Sequence, residues 1–401
     1  MRLFIWLACL SYLLTGVGHI IIGSVLEPMI AHYDLSYSDG GQLIMNQFLG
    51  FLVGVLFAPF ILKTMGRRTT IVLSFFLFTV AQVALFMLVP WPMLLSIVPL
   101  GGAGLGITET VIAGLIIGKL KEKKASVMML TEVFFGIGAL LLPIISAILI
   151  AGGEWNSLFA FVGMVTLITF VLWMFLRFGE HDETLMAKEK IKTKKADHKR
   201  YPKPSLPMLC IGAFFFFLYV GTEMTFPNYL PSILSMSSEL SPSTLALSIT
   251  VFWGAMTIGR MVMTFIIGRF GFTKLFAICC TGQFITLGLF ALSPNVTISF
   301  IVIFFVGLTM GGIFSLGLLL INEATPGLED RTSSLLIAMG GLGGALLPRL
   351  TGSLLDLYPV QVTLWVLFGF AGCMFALMAL LFLLRKRVLV FNQKSDMSRG
   401  H

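Results

Sequence analysis

Residues 178–206 read FGEHDETLMAKEKIKTKKADHKRYPKPSL, a polar stretch in a chain of 401 residues that otherwise consists mostly of apolar runs. The whole chain is 57% hydrophobic and 11% charged, and its mean hydropathy is +0.97. Soluble domains carry about 25% charged residues. The composition therefore predicts an integral membrane protein, which the polar stretch divides into two parts.

Apolar runs on both sides of this stretch are long enough to cross a bilayer, which takes roughly 20 residues. Their approximate limits are 4–30, 41–62, 70–90, 93–118, 125–151, 157–177, 207–234, 244–267, 274–292, 296–321, 333–355 and 361–384. We therefore expect an all-α membrane protein with twelve transmembrane helices in two six-helix bundles. The expected domains are an N-terminal bundle at 1–177, a cytoplasmic basic linker at 178–206, a C-terminal bundle at 207–387 and a cytoplasmic tail at 388–401.

The basic residues follow the positive-inside rule. If the N-terminus is cytoplasmic, the joins that carry Lys or Arg, including those at 63–68 and 119–124, all face the cytoplasm. We therefore expect a multi-pass protein of the cell membrane with both termini in the cytoplasm. The net charge of +8 then reflects orientation in the lipid bilayer, and no nucleic-acid partner is expected.

Carboxylates interrupt several of the apolar runs, and three of them are candidates for a function, namely Glu109, Glu132 and Glu223. An ionised carboxylate deep in a bilayer costs roughly a few kcal/mol or more, so such residues usually have a function. Buried carboxyl groups also hold their proton more tightly, which suits them to bind and release H⁺. We expect Glu109, Glu223, Glu132 and His19 to couple transport to protons. The alternatives are a structural hydrogen bond for Glu109 or His19, and pairing with Lys124 or capping of an inner gate for Glu132.

Neutral hydrogen-bonding and aromatic residues inside the predicted helices are candidates for substrate binding. Asn46, Gln47 and Asn228 offer donors and acceptors that suit sugar hydroxyl groups, and Tyr229 and Trp253 offer rings for the apolar face of a sugar. The alternative for the amides is hydrogen bonding between helices, worth only about 0.6 kcal/mol per contact.

Two arginines lie within predicted helices and are expected to act in gating. Arg260 needs a carboxylate partner or must extend toward the interface. Arg349 has Asp356 two turns later, and this acid is a candidate partner at the outer end of the helix. Both residues suit a conformational lock better than contact with a sugar.

Pro227 follows Glu223 by four residues in the seventh apolar run. Proline lacks the N–H that an α-helix uses for hydrogen bonding, so a carbonyl nearby should be freed. The sequence therefore predicts a discontinuous helix beside Glu223.

The loop between the second and third runs resembles a motif of the major facilitator superfamily, Gly-x-x-x-Asp-Arg/Lys-x-Gly-Arg-Arg/Lys. Residues 58–68 read APFILKTMGRR, and with one extra residue between Lys63 and Gly66 allowed, Lys63, Gly66, Arg67 and Arg68 match the motif. Leu62 stands where the family has the aspartate. The resemblance implies a gating role for Arg67 and Arg68, and it leaves open what replaces the ion pair that the missing aspartate would form.

Further stretches resemble the fucose–galactose–glucose:proton symporter branch of that superfamily. They are NQFLGF at 46–51, GITET at 106–110, EVFFGIGA at 132–139, LYVGTE at 218–223, NYLPS at 228–232, FWG at 252–254 and GGA at 343–345. The resemblance implies that Glu109 is the protonatable carboxylate of the fourth helix. The branch pairs it with an aspartate in the first helix, where this chain has Ser24.

Together these features predict proton-coupled uptake of a neutral hexose, of the glucose or mannose type, by alternating access. The alternative is proton-coupled efflux of amphipathic compounds, although the fifth run lacks the Gly-Pro pair usual in exporters of this superfamily. No pattern indicates an enzyme, a cofactor or a metal site, so the expected partners are the substrate, H⁺ and the lipid bilayer. We expect the protein to act as a monomer.

Overall fold

The computed structural model describes residues 2–119, 124–178, 201, 205–236, 239–293, 295–325 and 328–399, and nearly all of them are helical. The first half of the chain contains α1 (Arg2–Ser24), α2 (Leu26–Tyr33), α3 (Tyr37–Met65), α4 (Arg67–Phe86), α5 (Trp91–Lys119), α6 (Lys124–Ala151) and α7 (Ser157–Phe175). The second half contains α8 (Ser205–Ser235), α9 (Pro242–Phe270), α10 (Phe272–Ala291), α11 (Val296–Met310), α12 (Ile313–Asn322), α13 (Glu329–Leu357) and α14 (Val360–Arg399).

Within these described ranges, twelve segments are long and apolar enough to cross a membrane. This number confirms the prediction from hydropathy, and the limits agree closely in several places. The run predicted at 207–234, for example, is the helix Ser205–Ser235. The all-α membrane architecture expected from the sequence is therefore confirmed.

The helix breaks lie elsewhere than the sequence predicted. The discontinuity expected at Pro227 was wrong, because α8 continues through both Pro227 and Pro231. Breaks occur instead at Val25, between α1 and α2, and at 311–312, between α11 and α12. A proline removes one hydrogen bond within its helix, and contacts with neighbouring helices can compensate for that loss. Here Asn228, the residue after Pro227, packs against α1.

Glycines allow α3 and α5 to approach at backbone contact distance. A methyl group on Gly50 or Gly54 of α3 would overlap the backbone carbonyl of Pro99 or Ala103 on α5. Reciprocally, a methyl group on Gly102 or Gly106 of α5 would overlap the backbone carbonyl of Gln47 or Phe51 on α3. Small residues spaced four apart are typical of tightly packed membrane helices. This seam fixes the position of α3 relative to the turn of α5 that carries Glu109.

The chain forms two compact units. Unit 1 comprises residues 1–192, 227–253 and 348–356, and unit 2 comprises residues 193–226, 254–347 and 357–401. Unit 1 therefore contains α1 to α7 together with the C-terminal part of α8, the N-terminal part of α9 and the last turns of α13. Most of the predicted linker at 178–206 lies outside the described residues, and the predicted domain limits stay a prediction.

Candidate transport site

Glu109 lies on α5 in unit 1, one turn after Gly106, and its side chain is half-buried. Its Oε1 atom is fully buried without a hydrogen-bond partner among the described residues. The Thr15 hydroxyl lies close to the carboxyl group, and the Tyr12 hydroxyl donates to the Glu109 backbone carbonyl at 3.5 Å, the long limit of a hydrogen bond. An ionised carboxylate with a buried, unpaired oxygen is unfavourable. The site therefore suits a carboxyl group that spends part of its cycle protonated.

Glu132 on α6 lies within electrostatic range of both Glu109 and Tyr12. Its side chain is exposed although it belongs to an apolar spanning segment. Contact with lipid would be costly for a carboxylate, so this face of α6 should meet water. The structure thus brings two predicted proton-coupling residues together, one half-buried and one accessible. The predicted partner Lys124 has no described side chain.

His19 on α1 is buried in an aromatic pocket of the same unit. Its ring lies 5.4 Å from Phe48, 5.0 Å from Phe51 and 5.3 Å from Phe135, measured between ring centroids. Nδ1 lies 2.8 Å from the Thr15 carbonyl oxygen, and this bond fixes the orientation of the imidazole. An imidazole can donate to a carbonyl whether it is neutral or protonated, so the proton-coupling role of His19 and the structural alternative both stay predictions.

Gln47 and Asn46 have different surroundings although they are adjacent in the chain. The Gln47 side chain is buried, and its Nε2 donates to the Gly18 carbonyl on α1 at 2.6 Å. Asn46 is half-buried, and its Nδ2 donates to the Leu95 carbonyl on α5 at 3.0 Å. Gln47 therefore faces the helix that carries His19, whereas Asn46 joins α3 to α5 outside that group.

Two candidate substrate residues from the second half of the chain belong to the same unit. Asn228 on α8 is buried, and its side chain packs so closely on Gly23 of α1 that a methyl group at Gly23 would overlap it. Trp253 on α9 is also buried, and its ring lies 6.1 Å from Phe135 in an edge-on arrangement. Because Phe135 contacts His19 as well, Trp253 and His19 are linked through a single ring.

Glu223 and Arg260 form an ion pair in unit 2, with Arg260 Nη2 3.2 Å from Glu223 Oε1. The Glu223 side chain is buried and the Arg260 side chain is 32% exposed. The carboxylate partner that Arg260 was predicted to need is therefore Glu223, itself predicted as a proton-coupling residue.

Arg67 and Arg68 belong to the N-terminal turn of α4, where Arg67 is buried. Arg68 Nη1 donates to the carbonyls of Trp173, Met174 and Leu176, at 3.2, 3.4 and 2.6 Å. Free carbonyls at a helix C-terminus attract cations. Arg68 thus caps the end of α7, and its predicted gating role, like that of Arg67, stays a prediction.

Tyr229, Arg349 and Asp356 meet at the start of α3, and we name this group, together with Tyr37 and Ser38, the Tyr37–Ser38 cluster. Asp356 accepts from the backbone N–H groups of Tyr37 and Ser38 at 2.8 and 2.6 Å. Arg349 donates to the Ser38 carbonyl, and the Tyr229 hydroxyl donates to the Tyr37 carbonyl at 3.2 Å. Among the described residues Arg349 therefore does not pair with Asp356 as the spacing suggested. Each binds the backbone of α3 instead, and Tyr229 lies here rather than beside Trp253.

Sequence reasoning missed two residues of these sites, Tyr12 and Glu27. Tyr12 lies within electrostatic range of both Glu109 and Glu132, and nothing in its local sequence distinguishes it from other aromatic residues of α1. Glu27 is an acid flanked by Val25, Leu26, Pro28 and Met29. It carried a weaker form of the signal that singled out Glu109, because it is a lone carboxylate near the edge of its apolar run.

Comparison with known proteins gives a consistent result. A model of the major facilitator superfamily matches residues 8–237 and 209–397. The glucose/mannose transporter GlcP of Bacillus subtilis is 28% identical over 354 residues, which cover 88% of each chain. The TsgA homolog of Buchnera aphidicola (subsp. Baizongia pistaciae) is 23% identical over 359 residues, which cover 89% of each chain.

Solved structures share the fold at low identity. A crystal structure of a D-xylose-proton symporter superposes with a TM-score of 0.76 at 14% identity, covering 93% of this chain and 96% of that one. The nucleoside transporter NupG superposes with a TM-score of 0.70 at 12% identity, covering 95% and 99%. At these identities the likeness concerns the arrangement of helices and carries no information on the substrate.

Proposed function

The chain belongs to the major facilitator superfamily, and on that premise we propose that it is a secondary active transporter that takes up a neutral hexose together with protons. It is a multi-pass membrane transporter rather than an enzyme. The observation that carries the proton coupling is Glu109, whose carboxyl group has a buried oxygen without a hydrogen-bond partner among the described residues.

The proposed coupling follows from the cost of that unpaired oxygen. While the site is open to the outside, Glu109 takes up a proton and becomes neutral, which removes the penalty of burying its charge. Substrate then binds, the transporter changes conformation, and substrate and proton leave on the cytoplasmic side. Glu132, exposed and within electrostatic range of Glu109, supplies the path from the carboxyl group to water.

The proposed substrate is a neutral hexose, of the glucose or mannose type. Gln47 and Asn228 supply amide groups for hydroxyl recognition, and Trp253 supplies a ring for the apolar face of the sugar. His19 shapes the same region through Phe135. The relative GlcP, described as a glucose/mannose transporter, supports this class of substrate. No contact described above favours efflux of amphipathic compounds.

Gating is proposed to involve Arg260 and Arg349. Arg260 binds Glu223, so protonation of Glu223 would free the arginine and weaken the pair. Arg349 and Asp356 bind the first backbone groups of α3 and would hold the start of α3 against α13 until the conformation changes.

We further propose that the halves at 1–177 and 207–387 are the bodies that move during alternating access, joined by the linker at 178–206. The positive-inside rule favours a cytoplasmic position for both termini and for residues 388–401, in the cell membrane. On this orientation the Tyr37–Ser38 cluster lies at the outer surface. A monomer suffices for this mechanism.

The test is uptake of labelled glucose into proteoliposomes, with and without an inward proton gradient, by wild-type protein and by Glu109→Gln. Glutamine keeps the size and the hydrogen-bonding ability of the side chain but cannot release a proton. We expect the wild type to accumulate sugar when the gradient is applied. The variant should lose accumulation but keep exchange of labelled for unlabelled sugar.

Glu154→Gln is the matched control, because Glu154 is an exposed acid on the loop between α6 and α7. It should accumulate sugar as the wild type does. Absence of saturable sugar uptake under any gradient would exclude the hexose. Gradient-driven accumulation that survives in Glu109→Gln would show that another group carries the proton.

A further inference from the structure

Glu27 is a half-buried acid to which the proposed transport cycle gives no role. It lies in α2, beyond the first spanning segment, which ends at Ser24. Its Oε2 atom accepts from the Tyr37 hydroxyl at 3.3 Å, whereas Oε1 is fully buried without a hydrogen-bond partner among the described residues. The Ser232 hydroxyl of α8 lies close to the Glu27 carboxyl group. The hydroxyl oxygen of Ser232 is also buried, and no hydrogen bond of normal geometry joins it to another described residue.

The surroundings of Glu27 link it to three helices of unit 1. Tyr37, which bonds to Glu27 through its hydroxyl, also accepts from Tyr229 and donates its backbone N–H to Asp356. The carboxyl group thus touches the same residue that anchors α8 and α13 to α3. If α8 and α13 separated from the start of α3, Glu27 would lose its cover from Ser232 of α8 and would meet water.

We propose that Glu27 is a second proton-binding site, and that a proton bound there favours the assembled form of the Tyr37–Ser38 cluster. An ionised carboxylate with an unpaired, buried oxygen opposes assembly, whereas the neutral acid needs fewer partners. The proton is therefore taken up as the cluster assembles and is released as it separates. This site does not rest on the hexose assignment, since it concerns only the contacts at the start of α3.

The direction of the pH effect follows from linkage. Burial raises the pKa of Glu27 above its usual value, an effect that the Tyr37 and Ser232 hydroxyls partly oppose. When the cluster separates, the carboxyl group should return to a pKa near 4.3. The added stability is thus fully present below that value and is lost as the pH rises through the raised pKa of the assembled form.

Other titratable groups near Glu27 would act differently. Asp356 from α13 accepts hydrogen bonds from two backbone N–H groups, so a proton added to its carboxylate would loosen the cluster, the opposite sign. Arg349 is a cation that donates to the Ser38 carbonyl. On the same helix as Glu27, His32 packs against the rings of Tyr33 and Trp155 instead. A cluster that tightens with acid therefore identifies Glu27 rather than Asp356.

The experiment is hydrogen–deuterium exchange of the backbone amides of Tyr37 and Ser38, in protein reconstituted into nanodiscs without any substrate. Protection is measured between about pH 5 and pH 8 and corrected for the intrinsic effect of pH on exchange. We expect protection in the wild type to fall severalfold as the pH rises. Glu27→Gln should keep high protection that no longer depends on pH, and Glu154→Gln should behave as the wild type.

Tyr37→Phe provides a second variant that leaves Glu27 in place. It removes the hydroxyl that favours the ionised carboxylate, so the fall in protection at residues 37–38 should move to higher pH. The proposal is overturned if Glu27→Gln keeps the pH dependence of the wild type, or if wild-type protection is independent of pH or falls with acid. Because no sugar is present, none of these outcomes depends on the transported substrate.

Discussion

Gly106 offers a direct test of the close approach between α3 and α5. In Gly106→Ala, the new methyl group would overlap the Phe51 backbone carbonyl and touch the Val55 backbone nitrogen. Both are main-chain atoms, so a change of side-chain rotamer cannot relieve the overlap. The two helices would have to separate by roughly 1 Å, a gap that already forfeits up to about half of the dispersion energy between facing atoms.

The magnitude follows from two opposing effects. Overpacking of a close contact costs about 1–3 kcal/mol, whereas alanine improves helix propensity over glycine by about 1 kcal/mol. We therefore expect a net loss of up to about 2 kcal/mol in the free energy of unfolding. Transport should fall more steeply, because α3 carries Gln47 and Phe51, and α5 carries Glu109 one turn beyond the substitution.

Gly114→Ala is the matched control on the same helix. In the part of the chain that the structure describes, no atom lies within 4 Å of the methyl group it would add, apart from the helix's own backbone and the adjacent residues. The control should keep wild-type transport and unfold at the same temperature or slightly higher. Thermal unfolding in detergent and proteoliposome uptake measure both variants. If Gly106→Ala matches Gly114→Ala in both assays, the backbone contact between α3 and α5 is refuted.

Two further pairs of substitutions, each a variant with its control, separate structural from functional roles. Arg68→Ala should lower the free energy of unfolding by about 1–3 kcal/mol, because three carbonyls at the end of α7 lose a charged donor. The control Lys63→Ala removes an exposed cation before the same turn and should have little effect. Equal losses of stability in thermal unfolding of the two variants would contradict the capping role of Arg68. Gln47→Ala should raise KM for the sugar severalfold, whereas Asn46→Ala should lose only about 0.6 kcal/mol of stability with KM unchanged. Equal changes in KM for these two variants would place the substrate site elsewhere on α3.

Hydropathy was sufficient to predict the number of spanning segments because the bilayer imposes a single requirement on each of them, enough apolar length. The same physics singled out Glu109, since a lone carboxylate in an apolar run stands out in the sequence itself. Glu27 gave a weaker version of that signal, and its importance became visible only from its contacts with Tyr37 and Ser232.

The sequence could not predict which polar groups share a site, because helical periodicity gives the face of one helix but not its neighbour. Asn46 and Gln47 are adjacent in the chain, yet one bonds to α5 and the other to α1. Asp356 lies at the right spacing to pair with Arg349 along α13, yet it binds the backbone of α3. Such choices depend on contacts between residues distant in the chain, from 29 positions apart for Gln47 and Gly18 to 319 for Tyr37 and Asp356.

Local rules also failed to predict where the helices break. Pro227 has the chemistry of a helix breaker, but α8 continues through it, whereas α1 ends before Val25 with no proline at that point. The sequence by itself determined the spanning segments and the unusual carboxylate at Glu109, since both follow from transfer of residues into lipid. Only the tertiary structure decided helix continuity and the partners of each polar group, because packing energy between helices exceeds the preference of a single residue.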